Sequence, residues 1–253
     1  MRVRIVLIVL FLPLLALAGS IEKSQRLELS TKDIQSLHIK CAAGYLDVFG
    51  VEAADRIKVR AAVRINGISQ KMLPGFWDKH VMLSLKKHHH TAVLQSEFKN
   101  RHLMKADAKI DLTVEVPKAL AVKIEDESGS IFVADLDTAL GIEDGSGSIE
   151  VRNIAGKVTI ADDSGQIDLM DITGDLEVKD GSGTINIERI RGNVWIIDGS
   201  GGMTIKDIDG NLTITDGSGS IEISDVTQNV FIKESVSGSL DIEGVQGRVI
   251  TWK

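Results

Sequence analysis

Five apolar positions recur every 18 residues in the second half of the chain, which is the distance from Gly129 to Gly147. Counted from the glycine of a Ser-Gly pair, they fall two, four, seven, eleven and thirteen residues later. Ile, Leu, Val or Met fills 34 of these 35 positions in seven units, and Thr251 is the exception. The first two and the last two positions alternate with polar residues, which is typical of half-buried strands. Each unit is therefore predicted to hold two short strands and a corner. The pairs are Ser128-Gly129, Ser146-Gly147, Ser164-Gly165, Ser182-Gly183, Ser200-Gly201, Ser218-Gly219 and, after a one-residue insertion near 234–236, Ser237-Gly238.

This periodicity predicts a stack of repeats. A single unit is too short to bury its own apolar face, whereas stacked units place each aliphatic side chain on its copy in the next unit. WD40 blades need about 40 residues, and the helical segments that a doubly wound sheet requires are missing from the pattern. We therefore predict an all-β fold, a parallel β-solenoid of about seven 18-residue coils over residues 119–253. Parallel crossovers favour a right-handed coil. A flattened two-sheet coil and a three-sided coil both fit the pattern.

Residues 19–118 are predicted to form a degenerate first coil followed by a strand-rich cap. The apolar spacing recurs after Gly44, at Leu46, Val48, Val51 and Ile57, and regularity is then lost. A solenoid needs its open end covered, because exposed strand edges invite aggregation. We expect residues 50–118 to supply this cover, and a separate binding domain is the alternative. Strand-like runs occupy 56–65, 81–85, 91–98 and 109–116, and residues 72–77 are predicted to be a loop or short cap.

Residues 1–18 have the organisation of a secretory signal peptide. Arg2 and Arg4 precede an apolar run over 5–15, and Ala16-Leu17-Ala18 forms a small-residue cleavage site. We expect cleavage between Ala18 and Gly19 and a periplasmic or secreted protein. An uncleaved membrane anchor is the alternative, although the apolar run is short for a span. No other stretch of the sequence is apolar over a comparable length, so no membrane span is predicted after cleavage.

Composition and charge exclude several classes of protein. The single cysteine, Cys41, rules out a disulfide framework within one chain and a cysteine-based zinc cluster. It follows an alternating strand-like run, so we expect a buried small hydrophobe, with an intermolecular disulfide as the alternative. Residues 119–253 hold 25 acidic and 10 basic residues, whereas residues 1–118 hold 11 and 19. The acidic half argues against binding to nucleic acid, because phosphate groups need the opposite charge.

The glycine-punctuated repeats, such as DGSGSIEI at 216–223, resemble those of the bacterial putative-adhesin β-strand-repeat family. The resemblance covers roughly residues 35–250 and includes the irregular, strand-rich start. It implies a β-solenoid in an exported or envelope-associated protein of unknown function, with an adhesin-like role. It implies no catalytic residues.

An acidic column stands three residues before the turn glycines, and Glu234 is near its seventh place. Stacked about 4.8 Å apart, neighbouring carboxylates repel by roughly 0.9 kcal/mol at the dielectric constant of water. A divalent cation, with calcium the best fit, could bind between the coils through these hard oxygens. Alternatively, each Asp accepts backbone N–H groups of its own turn. The acidic column consists of Asp126, Asp144, Asp162, Asp180, Asp198 and Asp216.

Neither serine nor histidine forms a catalytic pattern. The serines from Ser128 to Ser237 are equivalent, and residues 103–253 contain no histidine, which argues against a Ser-His dyad. His88, His89 and His90 are consecutive, and consecutive strand residues point to opposite faces; a solvated hairpin turn is favoured over a metal site. The chain is therefore predicted not to be an enzyme. A polysaccharide-active β-helix enzyme would need a site in residues 60–118.

One outward column of the predicted solenoid is apolar. Trp195, Phe231 and Ile250 should stand outside the core, with Ile197 beside Trp195. Exposed apolar clusters often mark contact surfaces, although a cap or the C-terminal tail could also cover them. We predict a rigid, non-enzymatic envelope scaffold, adhesin-like, that binds a protein or glycan here. A calcium-stabilised β-roll is the alternative.

Overall fold

The structure, a computed structural model, describes residues 20–99, 107–233 and 237–252. The predicted signal peptide, Glu234 and the insertion near 234–236 lie outside the described residues. Two sheets of eleven strands each contain parallel strands stacked coil upon coil, so the predicted β-solenoid is confirmed and its coils have two faces. No helix in the described ranges is long and apolar enough to cross a membrane.

The N-terminal part supplies seven strands and two short helices. A 3₁₀-helix, Gln70–Met72, leads directly into α1, Leu73–His80, where a loop or short cap was predicted. The strands are β1 (Ser20–Ser30), β2 (Ser36–Cys41), β3 (Gly44–Val51), β4 (Arg56–Asn66), β5 (Val81–His88), β6 (Thr91–Phe98) and β7 (Asp107–Pro117).

Each later coil gives one strand to each sheet. The first sheet contains β9 (Gly129–Leu136), β11 (Gly147–Ile154), β13 (Gly165–Thr173), β15 (Gly183–Arg191), β17 (Gly201–Asp209), β19 (Gly219–Val226) and β21 (Leu240–Val245). The second sheet contains β8 (Ala121–Asp126), β10 (Leu140–Asp144), β12 (Val158–Asp162), β14 (Leu176–Asp180), β16 (Val194–Asp198), β18 (Leu212–Asp216), β20 (Val230–Lys233) and β22 (Val249–Trp252).

Neighbouring coils pair in parallel at an offset of one repeat. Ile149 lies opposite Ile167, for example, so each apolar residue stacks on its equivalent. All 30 repeat positions of the first six coils are buried. In the seventh coil Leu240 and Val249 are 42% and 46% exposed, because no further coil covers them within the described residues.

The turn glycines are required by this stacking. Gly147 has φ +137°, a conformation that L side chains rarely adopt, and a Cβ atom there would overlap the carbonyl oxygen of Gly129 one coil before. The same overlap recurs along the stack, as at Gly183 against Gly165. The Ser-Gly pairs therefore recur where the backbones of neighbouring coils approach too closely for a side chain.

The second corner of the coil uses a left-handed residue that the apolar pattern did not reveal. It lies six residues after each turn glycine, with φ between 55° and 64°, and Gly244 takes the place in the last coil. Asp and Asn tolerate this conformation better than other non-glycine residues. The residues are Asp135, Asn153, Asp171, Arg189, Asp207 and Asp225.

The first coil is built from β2 and β3. Leu46 and Val48 of β3 pair with the equivalent residues of β9, as the spacing after Gly44 predicts. The second-sheet strand of this coil comes earlier in the chain, because β2 pairs with β8 through Leu37 and Ile39. Both strands thus extend the stack toward the N-terminal part.

After β3 the chain leaves the repeat. Val51 is 36% exposed and Ile57 lies on β4, so neither continues the coil. β4 pairs antiparallel with β1 and β7 and extends the first sheet, while β5 and β6 extend the second. Phe76 and Trp77 of α1 pack against the core. One hydrophobic core runs from Leu27 to Ile232 through this region and the coils.

Candidate functional site

The acidic column points into the solenoid. Asp144, Asp162, Asp180, Asp198 and Asp216 each end a second-sheet strand and are only 1–6% exposed, while Asp126 is partly exposed. The six residues pair in register from one coil to the next. The backbone thus places a row of carboxyl groups along one inner corner.

The N–H groups of the turns bond to only some of the carboxyl oxygens in the acidic column. Asp144 Oδ1 accepts the N–H of Gly145 at 2.9 Å, and Asp180 and Asp198 accept the N–H groups of Ser182 and Ser200 at 3.2 Å. The Oδ2 atom of each of these three Asp residues is buried without a hydrogen-bond partner. Neither carboxyl oxygen of Asp162 or of Asp216 accepts a hydrogen bond of good geometry, although the N–H groups of Ser164 and Ser218 lie close enough to lower the pKa of these two groups.

Burial raises the pKa of every carboxyl group in the acidic column. The pKa of Asp144 rises to about 7, first through loss of hydration and then through the charges of Asp126 and Asp162. Burial likewise raises the pKa of Asp162 and of Asp198 to about 6, while the turn amides act in the opposite direction. Protonation near neutral pH would supply donors to a row that otherwise holds acceptors.

No group of three or more His, Cys, Asp or Glu residues in the described ranges is arranged to hold a metal ion. Calcium takes about six to eight oxygen ligands, and the column offers a line of carboxyl groups with some oxygens already on turn amides. The calcium hypothesis stays a prediction.

Cys41 lies beside the first member of the acidic column. Its Sγ donates to the backbone oxygen of Glu125 at 3.9 Å. Burial, reinforced by the charge of Asp126, raises the pKa of the Cys41 thiol well above its usual range. An unreactive thiol is expected, since the thiolate is the nucleophile.

The serine and histidine groups lie in turns. Ser128 Oγ donates to the Ala42 carbonyl oxygen at 3.0 Å, which ties the second coil to the first. His88 ends β5, His89 has φ +54°, and β6 begins at Thr91, so the three histidines form a hairpin turn. His90 Nδ1 lies 3.2 Å from the Asp33 carbonyl oxygen.

The predicted partner surface lies on the outer side of the second sheet. Trp195 and Ile197 of β16 are 42% and 50% exposed, while Phe231 of β20 and Ile250 of β22 are partly exposed. Trp252, which the repeat pattern did not single out, is 48% exposed, and its ring lies 6.1 Å from that of Phe231 with 14° between the planes. These five residues are called the apolar face below.

A groove on the outer side of the first sheet also escaped the sequence pattern, because four strands distant in the chain build it. It has a volume of about 620 Å³ and lies where β1, β4, β7 and β3 run side by side. Its lining combines short side chains, such as Ala62, with the long side chains of three arginines. The N-terminal groove is lined by Arg26, Tyr45, Asp47, Arg60, Arg64 and Asp111, among others.

No family model and no curated protein matches the chain. Several solved structures resemble it over most of the length of both chains. A "putative adhesin" from Bacteroides fragilis NCTC 9343 is 13% identical, with a TM-score of 0.42, and the alignment covers 92% of this chain and 97% of that one. A "putative cell adhesion protein" from Clostridium sporogenes is 10% identical, with a TM-score of 0.33 and coverage of 92% and 100%. A "putative adhesin" from Parabacteroides distasonis is 13% identical, with a TM-score of 0.32 and coverage of 91% and 97%. At these TM-scores the likeness carries no argument about fold or function.

Proposed function

We propose that this protein is a non-enzymatic, exported envelope scaffold, adhesin-like, that binds a partner protein through the apolar face. The observation that supports this most directly is the exposure of Trp195, Ile197 and Trp252 on the outer side of the second sheet. Exposed apolar clusters on a folded protein commonly mark binding surfaces.

The regular stacking gives this face its shape. Trp195 pairs with Thr213, which pairs with Phe231, which pairs with Ile250. A second row, two residues further along each strand, runs from Ile197 through Thr215 and Lys233 to Trp252. With strands about 4.8 Å apart, the four strands extend over roughly 15 Å.

The chemistry of this face favours a protein over a glycan. Isoleucine contributes much of it beside the aromatic residues, and branched aliphatic side chains offer sugar hydroxyls no hydrogen bonds. Around it lie charged residues, including Glu177, which accepts ion pairs from Lys157 and Lys179 at 3.4 and 3.5 Å. An apolar centre with a charged rim is the usual composition of a protein interface, and tryptophan is enriched among its strongest contacts.

Location outside the cytoplasm is part of the proposal. It is supported by the organisation of residues 1–18, with Arg2 and Arg4 before an apolar run and a small-residue site at Ala16 to Ala18. Immunoblotting of fractionated cells for a shortened, exported chain tests this step on its own.

Site-specific photo-crosslinking in the native envelope tests the binding face. A photoreactive residue replaces Ile197 in one variant and Glu222, an exposed residue of the first sheet, in the control. We expect one discrete protein adduct at position 197 and none at 222. The purified partner should then bind the wild type and the Glu222→Lys variant but not Ile197→Lys.

Equal products at both positions, or none at either, would contradict the proposal. An adduct at position 197 whose added mass is removed by periodate would replace the protein partner with a glycan. Melting curves of both lysine variants show whether loss of binding reflects loss of folding.

A further inference from the structure

The N-terminal groove combines opposite charges in a space that can hold a small molecule. Its volume of about 620 Å³ falls within the range of small-molecule sites, about 300–1,000 Å³. Ser24 pairs with Ala62 across β1 and β4, and these short side chains leave space above the sheet. The groove lies on the first sheet and the apolar face on the second, so the two sites are independent.

A surplus cation stands at one side of the groove. Arg26 and Arg60 are direct neighbours across β1 and β4, an arrangement of like charges that is unfavourable without a counter-ion. The Arg60 side chain donates to Glu115 at 2.9 Å. The side chain of Arg26, in contrast, makes no hydrogen bond or ion pair to any residue in the described ranges. A free guanidinium beside a second one suits a carboxylate, which it can bind with two parallel hydrogen bonds.

The other side of the groove supplies hydrogen-bond acceptors. Asp111 is already engaged, since it accepts Arg64 Nη1 at 2.6 Å and the N–H of Tyr45 at 3.1 Å. The carboxyl group of Asp47 has no hydrogen-bond or ion-pair partner in the described part of the chain. Burial, together with the charge of Asp111, raises the pKa of this group. The Tyr45 side chain beside it is 53% exposed; Lys109 Nζ lies over one face of its ring, 5.0 Å from the centroid, and the other face is offered to a ligand.

The spacing of these groups distinguishes between ligands. Arg26, Arg60, Thr113 and Asp47 form one row across four strands, so the backbones of its ends are about 14 Å apart. A simple anion could reach the arginines but would gain nothing from Asp47, whose charge repels it. A ligand with a carboxylate at one end and hydroxyl groups at the other satisfies both ends of the row.

We propose that the N-terminal groove binds an acidic saccharide, whose carboxylate pairs with Arg26 and Arg60 and whose hydroxyl groups donate to Asp47. The exposed ring of Tyr45 contacts the apolar face of a sugar. This site requires no metal and no catalytic step.

Calorimetric titration of the purified protein at low salt tests the site with three probes: trigalacturonate, a hyaluronate tetrasaccharide and sialyllactose. We expect at least one to bind. Removing its charge, as in the methyl ester of trigalacturonate, should weaken binding roughly tenfold, since a hydrogen bond to a charged group contributes about that factor. Sulfate should not compete at equal concentration.

Matched variants assign the binding to the groove. Arg26→Gln and Asp47→Asn should each weaken it roughly tenfold, with unchanged melting temperatures. Arg152→Gln removes an exposed arginine of β11 that pairs with Glu150 and should leave binding unchanged. Binding of none of the three probes, equal affinity in Arg26→Gln, or full competition by sulfate would each overturn the proposal.

Discussion

Replacing one buried carboxyl group of the acidic column should stabilise the protein, and only at neutral to alkaline pH. Asp198 is 3% exposed, and burial together with the charges of Asp180 and Asp216 raises its pKa from 3.8 to about 6. The folded protein therefore binds this proton more tightly than the unfolded chain does. Its stability falls as the pH rises from about 4 to about 6 and does not recover above that range.

The magnitude follows from the shift. About two pKa units, at about 1.4 kcal/mol each, correspond to about 3 kcal/mol of unfolding free energy lost at high pH. In Asp198→Asn the side chain is neutral at every pH, and its Oδ1 can still accept the N–H of Ser200, as Asp198 Oδ1 does now at 3.2 Å. The variant should match the wild type near pH 4 and exceed its unfolding free energy by about 3 kcal/mol near pH 8.

Urea unfolding of both proteins at about pH 4 and about pH 8 measures this difference. Asp207→Asn is the matched control, because Asp207 lies in the same stack but is exposed, at a left-handed corner that Asn also adopts. It should change the stability little at either pH. If Asp198→Asn is less stable than the wild type at pH 8, the ionised carboxylate stabilises its turn, and buried repulsion is not the dominant effect.

Three further predictions follow from the packing of the coils. Gly183→Ala should destabilise the protein by about 3 kcal/mol or more, because its φ is +150° and the new Cβ overlaps the carbonyl oxygen of Gly165. Gly202→Ala, where nothing lies within 4 Å, should be nearly neutral in the same denaturation assay, and equal effects would refute the stacking argument. Calcium and chelator should give the same melting temperature at pH 8 if each Asp of the acidic column only accepts N–H groups of its own turn, as Asp144 does from Gly145; a higher value in calcium would establish the cation site. Cys41 should resist iodoacetamide in the folded protein and react in urea, as judged by mass, because burial raises the pKa of its thiol; rapid alkylation without urea would show that the thiol is accessible.

The repeated half of the chain could be predicted because each coil specifies its own neighbours. A constant offset of one repeat places Ile149 on Ile167 in the structure, and the apolar columns of the sequence are the buried columns of the first six coils. The glycine period has the same origin, since it marks where one backbone passes over the next. The number of faces of the coil could not be predicted from the sequence, because the apolar spacing is compatible with a corner at either of two places.

The N-terminal part shows the opposite case. Leu46 and Val48 could be aligned with the coils, but Ile57, which has the same spacing, lies on β4, which pairs antiparallel with β1. β2 pairs with β8 although β3 to β7 lie between them in the chain, and nothing periodic connects the two. The N-terminal groove depends on the same kind of pairing, so Arg26 and Asp47 give no sign in the sequence that they face one space.

The sequence by itself determined the repeat, the stacking and the outward position of Trp195 and Ile197, because alternation along a strand fixes which side chains face the core. Only the tertiary structure decided how completely the carboxyl groups of the acidic column are buried, that Trp252 lies beside Phe231, and that four strands form a groove. The physical reason is the range of the interactions. Local alternation and a constant period can be read directly from the sequence. The turn at each corner and the pairing of distant strands depend instead on which arrangement of the whole chain buries the core.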